Sequence, residues 1–161
     1  MTSFDSLLDQ YRSLSDSERT KGSYFEQLVK QFLLTDGVHA PQHRNVWLWN
    51  DWPDRNGQAD LGIDLVAERE DGGTTAIQCK FYSRGHKIQK SEIDSFMANS
   101  GKKEFTHRLV VDTTGVDWSP NAEASRSAWW GSISRSPRPP CSGCPQDSRQ
   151  NGLSASDTEL P

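Results

Sequence analysis

The spacing of apolar residues predicts two helices in the first part of the chain. Leucine and tyrosine recur at helical intervals over residues 3–14, where Ser3 is suited to cap the first turn. A broader apolar stripe over residues 23–34 predicts a second helix, which ends at Asp36 and Gly37. Because side chains at this spacing share one side of a helix, we expect each helix to pack that side against a core.

Downstream, the pattern changes to short apolar runs typical of β-strands. Aliphatic and aromatic residues predict strands over residues 44–50, 62–67 and 76–80. The last two are joined by Glu-Asp-Gly-Gly at residues 70–73, which holds the Asp-Gly pair of a tight hairpin turn. These three strands are expected to lie in one sheet.

A helix over residues 91–99 and a strand over residues 107–112 are predicted after the hairpin. Ser91 and Asp94 resemble a capping box for this helix. The order helix, helix, strand, hairpin, helix, strand predicts an α/β fold in which helices flank a central mixed β-sheet.

Three polar side chains interrupt the apolar pattern of the predicted hairpin. Asp64 stands in its first strand, and Gln78 and Lys80 leave the second strand on one face because they are two residues apart. Carboxylate and amide oxygens suit Mg²⁺, which also accepts water and phosphate, and an ammonium group can act on an attacking water. The set predicts phosphodiester hydrolysis. The alternative is a surface hairpin with an ordinary ion pair between Asp64 and Lys80.

The order of these residues resembles a known nuclease signature. Asp64 followed by Gln78-x-Lys80 is similar to the PD-(D/E)xK pattern in its Gln variant, and the flanking residues 62–65 and 78–82 resemble the Mrr-type branch of restriction endonucleases. That branch has an acid on a preceding helix, and Glu26 stands at the matching place.

An aromatic segment extends the resemblance. Residues 46–53, with three tryptophans, are similar to the N-terminal nuclease domain of large single-chain restriction–modification enzymes, in which a helicase motor and a methyltransferase follow. The resemblance covers residues 3–124 and implies a restriction-endonuclease-like fold. It implies a type I-like restriction nuclease that cuts double-stranded DNA with Mg²⁺ or Mn²⁺. The alternatives are a non-catalytic DNA-binding or assembly module of the same fold, or a truncated inactive relic.

The resemblance also implies roles for the site residues. Asp64, Gln78 and the backbone carbonyl of Cys79 would hold the metal, Lys80 would act on the water or the phosphate, and Glu26 would help to position metal or water. Without the resemblance, the favoured interpretation of Glu26 is a first-turn acid that favours the helix dipole, or a partner for Lys30.

Net charge limits the expected contact with DNA. The chain carries −4 at neutral pH, although phosphate contact usually depends on Lys and Arg. A local basic stretch follows the predicted catalytic strand, and Arg84, Lys87 and Lys90 in it are candidate DNA contacts. The alternative is a solvated loop and helix end.

For the tryptophans and for Asp60, which precede the hairpin, a structural role is favoured over a functional one. Trp47, Trp49 and Trp52 could stack on bases, but aromatic residues in a strand more often pack in a core. Asp60 lies four residues before Asp64, and a role in stabilising a turn is favoured over metal binding.

Composition is typical of one small domain. Apolar residues make up 33% of the 161 residues, and no run approaches the length of a membrane span. The first residues lack the features of a secretory signal, and three cysteines do not suggest a disulfide framework. A cytoplasmic location is therefore expected.

The chain changes character near its end. Residues 125–161 contain nine serines and five prolines but no lysine, valine, phenylalanine or tyrosine. We expect a nuclease domain over residues 1–124, followed by a tail that is disordered or translated out of frame. Cys141 and Cys144 form a lone CxxC pair in this tail, which is half of a zinc site and does not predict one.

Overall fold

The computed structural model describes residues 4–14, 17–59, 61–102, 104–128 and 133–135. Four helices and five strands are present in these ranges. In chain order they are α1 (Phe4–Ser13), α2 (Glu18–Thr35), β1 (His43–Leu48), β2 (Leu65–Arg69), β3 (Thr74–Lys80), α3 (Asp94–Ser100), β4 (His107–Asp112), α4 (Pro120–Ala128) and β5 (Ile133–Arg135).

The strands form one mixed sheet in the order β1-β2-β3-β4-β5. The first three strands are antiparallel neighbours, with Leu65 opposite Ile77 in the β2–β3 hairpin. Strand β4 runs parallel to β3 and places Asp112 beside Lys80 at their carboxyl ends, and β5 runs parallel to β4. The mixed sheet with flanking helices confirms the predicted restriction-endonuclease-like fold.

Each face of the sheet has its own apolar core. One core joins buried residues of α1 and α2 to alternate residues of the strands: Leu8, Phe25, Val29, Leu33, Val46, Leu65, Ala67, Ile77 and Leu109. The other joins α3 and α4 to the opposite face and includes Val66, Ala76, Phe96 and Trp118. Burying a large apolar side chain stabilises a fold by about 1.5–3 kcal/mol, so the two cores hold the sheet between its helix layers.

The tryptophans of the aromatic segment lie in the second core. Trp49 and Trp52 are buried, their rings are 5.6 Å apart, and Trp47 packs against the same core. The predicted packing role of these residues is confirmed.

Two predicted details are wrong. Helix α2 begins at Glu18, earlier than residue 23, because Ser17 caps it and accepts a hydrogen bond from the backbone N–H of Thr20. The capping box before α3 involves Gln89 and Glu92 and not Ser91 and Asp94, because a short 3₁₀ turn precedes the helix.

Secondary structure continues past the expected domain end at residue 124. Helix α4 reaches Ala128, and β5 pairs with β4 over Ile133–Arg135. Residues 136–161, with Cys141 and Cys144, lie outside the described residues, so the expected tail stays a prediction. Among the described helices, none has both the length and the apolar character needed to cross a membrane.

Candidate active site

Asp64 is fixed by the backbone on both sides. It directly precedes β2, its N–H donates to the Ile77 carbonyl at 2.9 Å, and its carbonyl accepts from the N–H of Trp49 at 2.8 Å. Its carboxylate accepts a hydrogen bond from the backbone N–H of Cys79 at 2.6 Å. The carboxylate of Asp64 is therefore held at the carboxyl end of β3, where Gln78 and Lys80 also lie.

Gln78 has a buried oxygen without a hydrogen-bond partner. The residue is 5% exposed, and its Nε2 donates to the carbonyl of Gly62 at 3.1 Å. Its Oε1 is buried and accepts no hydrogen bond from the residues that the structure describes. Such an orphaned acceptor costs about 1–3 kcal/mol. A hard cation that prefers oxygen ligands would satisfy this atom.

Lys80 is the last residue of β3 and lies on the same face as Gln78, because side chains alternate along a strand. Its carbonyl accepts from the N–H of Thr113 at 3.2 Å, which ties the strand end to the chain after β4. The neighbouring Asp112 carboxylate is bound by Thr114 and by the indole N–H of Trp118. The strand end that presents Lys80 is thus firmly anchored.

Glu26 approaches the same strand end from the other face of the sheet. It follows the buried Phe25 in the interior of α2, which packs on β1 and β3. The interpretation of Glu26 as a first-turn acid is wrong, because α2 begins at Glu18.

The electrostatics of Cys79 connect these charges. Burial raises the pKa of the Cys79 thiol, the negative charges of Asp64 and Glu26 raise it further, and the positive charge of Lys80 lowers it. Both carboxylates and the ammonium group therefore lie near enough to Cys79 to change the pKa of its thiol. The structure brings Asp64, Gln78 and Lys80 to one end of β3, and Glu26 lies near enough on the other face to act on Cys79.

The donor set is poor in carboxylates. No group of three or more His, Cys, Asp or Glu side chains in the described ranges is arranged to hold a metal ion. One carboxylate from Asp64 and one amide oxygen from Gln78 fit an ion that completes its coordination with water and substrate phosphate, as Mg²⁺ does. Asp60, which precedes this site, lies outside the described residues.

The three candidate DNA contacts lie after Lys80 at exposed positions. Arg84 is 3.4 Å from the carboxylate of Asp9, and Lys90 is 2.6 Å from that of Asp94. Exposed ion pairs of this kind are weak, so the two cations can exchange these partners for phosphate.

Two supporting residues were not predicted. Arg12 of α1 donates to the carbonyls of Tyr82 and Thr113 at 3.3 and 3.2 Å, and so holds the segment after Lys80. Gly62, which accepts from Gln78, has φ +74° and lies against Ser95 and Phe96. A glycine beside a strand is a known signal of close backbone approach, whereas nothing in the sequence around Arg12 indicates its contacts.

Comparisons with known proteins identify the family of this chain. The Mrr_cat_2 family model, described as restriction endonuclease, matches residues 34–135. Among solved structures, the ATP-dependent Type ISP restriction-modification enzyme LlaBIII bound to DNA is similar, with 33% sequence identity and a TM-score of 0.65. The match covers 82% of this chain but 8% of that enzyme, and the search of curated proteins finds no match. The chain belongs to the Mrr-type family of restriction endonucleases.

Proposed function

We propose that the chain is a metal-dependent endodeoxyribonuclease domain that hydrolyses phosphodiester bonds of double-stranded DNA in a restriction system. The observation that carries the proposal is the orphaned, buried Oε1 of Gln78 at the strand end that also receives the carboxylate of Asp64. A buried oxygen without a donor is costly in a purely structural role and useful as a cation ligand.

Asp64, Gln78 and the carbonyl of Cys79 would hold Mg²⁺ or Mn²⁺. When bound, such an ion supplies Lewis-acid polarisation of the scissile phosphate. The hydrogen bond from the Cys79 N–H keeps the carboxylate of Asp64 oriented before the ion arrives. Glu26 would add a negative charge from α2 that positions the ion or the water.

Lys80 would orient the attacking water and stabilise the negative charge that develops on the phosphate. Fixed charges contribute most when they need no rearrangement during the reaction. The hydrogen bond between the Lys80 carbonyl and the N–H of Thr113 provides this rigidity at the backbone.

Double-stranded DNA is the proposed substrate, and a longer protein is the proposed context. The similar Type ISP enzyme is ATP-dependent and bound to DNA, and this chain spans 8% of its length. We infer that a helicase motor and a methyltransferase act with this domain in a longer protein.

A second candidate function is a non-catalytic DNA-binding or assembly module. The low carboxylate content of the site favours it, since no group of three acidic or other metal-binding side chains is found in the described residues. The buried Oε1 of Gln78 on the face of Lys80 favours the nuclease, because DNA binding alone uses the ammonium group but gives no use to a buried oxygen without a donor.

Plasmid nicking by the purified 161-residue chain tests the proposal. Supercoiled DNA is incubated with Mg²⁺, Mn²⁺ or a chelator, and the same assay is run with Asp64→Ala and Lys80→Ala. Asp54→Ala and Lys102→Ala are matched controls, because both side chains are exposed and belong to other segments.

We expect metal-dependent nicking that falls by about a hundredfold or more in both site variants and is unchanged in both controls. Nicking that survives both site variants would place the site elsewhere. Folded protein that binds DNA but never nicks it with either metal would favour the binding module.

A further inference from the structure

Tyr82, His86 and Glu92 form a cluster just beyond the proposed catalytic strand, here called the histidine cluster. The Nε2 of His86 lies 3.1 and 3.2 Å from the two carboxylate oxygens of Glu92, and its ring is 4.3 Å from that of Tyr82. Tyr82 also donates a hydrogen bond to Glu92. All three side chains therefore contact one another.

Glu92 is hydrogen-bonded to both other members of the cluster. Besides Tyr82 and His86, it accepts the backbone N–H of Gln89 at 2.7 Å. Burial alone would raise the pKa of the Glu92 carboxyl, but these hydrogen bonds outweigh it and hold the pKa below its usual value. Glu92 is thus a fixed negative group that orients the imidazole of His86.

The cluster lies on the same side of the sheet as the site. Tyr82 packs on the core that covers the face of Gln78 and Lys80, whereas its neighbour Phe81 packs on the other core. The turn that carries His86 is also fixed, because the N–H of Gly85 donates to the Thr114 carbonyl at 2.8 Å. This hydrogen bond holds the backbone at His86, six residues beyond Lys80.

The second ring nitrogen of His86 remains available. The side chain is 39% exposed, and its Nδ1 makes no hydrogen bond to any residue that the structure describes. The exposed Lys87 follows directly in sequence, and Arg84 is two residues away. In its imidazolium form, a ring whose Nε2–H donates to the Glu92 carboxylate carries a second N–H at Nδ1, and this group can donate to a phosphate oxygen.

We infer that His86 is a DNA phosphate-binding residue that contacts a phosphate beside the scissile one, and that Glu92 and Tyr82 are its positioning residues. The inference rests on the proposed nuclease function and adds to it a contact that the simple basic stretch does not identify. The cluster also gives a role to the acidic side chain that follows the basic stretch, because Glu92 orients the imidazole of His86.

Fluorescence anisotropy with a short labelled duplex tests the inference. The full chain is titrated in Ca²⁺ at several salt concentrations, beside His86→Ala, His86→Arg, Glu92→Gln and His107→Ala. His107 is the matched control, because it begins β4 at the end opposite Lys80. Thermal unfolding of each variant checks that it is folded.

We expect His86→Ala to weaken binding about tenfold and to lower the slope of log affinity against log salt by about one. His86→Arg should restore both values, which a purely structural histidine would not allow. Glu92→Gln should weaken binding less than His86→Ala does, and His107→Ala should bind like the unaltered chain.

Unchanged affinity and salt slope in folded His86→Ala would overturn this inference and leave the nuclease proposal intact. Failure of His86→Arg to recover the slope would also overturn it, because the loss would then be structural. Absence of DNA binding by the unaltered chain would overturn both the inference and the proposed function.

Discussion

At the scale of single residues, the unusual feature is a neutral amide where a second carboxylate would serve a cation better. Gln78 is nearly fully buried beside the carboxylate of Asp64. Two ionised carboxylates at this place would repel each other and lose hydration without an ion between them. The amide lets the site fold without metal, at the cost of one unsatisfied oxygen.

Gln78→Glu should therefore lower the stability of the metal-free protein and raise its affinity for metal. In a chelator, the buried second carboxylate is expected to lower Tm by about 5 °C. With Mg²⁺, the rise in Tm should exceed that of the unaltered chain, because binding to the folded state is linked to its stability. Differential scanning fluorimetry with a magnesium titration measures both effects.

Gln27→Glu is the matched control, since Gln27 is exposed on α2. It should change neither Tm nor the response to magnesium. An equal magnesium response in Gln78→Glu and the unaltered chain would contradict a ligand role for this position.

The raised pKa of the Tyr82 hydroxyl leads to a second prediction at this scale. Burial, followed by the hydrogen bond to Glu92 and its negative charge, raises the pKa of Tyr82 to about 12. Because the folded state holds this proton more tightly than the unfolded state, its contribution to stability is complete below about pH 10 and is lost as pH rises towards 12.

Absorbance at 295 nm during an alkaline titration measures this directly. The difference between the unaltered chain and Tyr82→Phe should isolate one tyrosine that titrates near pH 12. A difference curve centred near pH 10 would contradict both the burial of the Tyr82 hydroxyl and its hydrogen bond to Glu92.

At the scale of elements, the site depends on how closely α3 approaches the segment before β2. Gly62 has φ +74°, and a Cβ there would lie 3.3 Å from the Cβ of Ser95 and 3.4 Å from the backbone nitrogen of Phe96. The same glycine carbonyl accepts the hydrogen bond from Gln78. Backbone conformation and helix packing at this one residue set where the amide of Gln78 points.

Gly62→Ala should lower the free energy of unfolding by about 2–3 kcal/mol. Gly57→Ala is the control, because Gly57 has φ +72° but nothing within 4 Å of a built Cβ. It should cost only the backbone strain, about 1 kcal/mol. Urea denaturation of both variants separates crowding from strain, and equal losses would contradict the close approach of α3.

How far the sequence predicts these elements depends on the source of each signal. The α2 stripe and the Asp-Gly hairpin are local patterns, and both are present as predicted. The first turns of α2 are polar and have no apolar period, so the apolar pattern does not predict its start at Glu18. Residue spacing also does not predict the unsatisfied oxygen of Gln78, because that feature depends on the residues that pack around the side chain.

At the scale of the whole molecule, an acidic chain has to attract an anionic substrate. The net charge is −4, and the basic segment after β3 is partly paired with carboxylates. The order and spacing of Asp64, Gln78 and Lys80 in the sequence resemble a nuclease signature, but spacing does not predict the balance of charge where these residues meet. A bound cation would reverse the sign of the field that a phosphate meets at Asp64.

This reversal gives a prediction with opposite signs in two conditions. Asp64→Asn removes the negative charge that repels a phosphate, so in a chelator it should strengthen duplex binding by severalfold. In Ca²⁺ the same change should weaken binding by about tenfold, because the ion that bridges protein and phosphate is lost.

Asp54→Asn is the control of equal charge change, since Asp54 is exposed and lies in the loop before β2. A general effect of net charge would strengthen binding by the same small factor in both variants and in both conditions. Only a cation held by Asp64 makes the change in DNA affinity opposite in the two conditions. Anisotropy titrations of the two variants with and without chelator distinguish these cases. If Asp64→Asn strengthens binding in Ca²⁺ as well, the metal is not held at Asp64, and the proposed catalytic site has lost its main ligand.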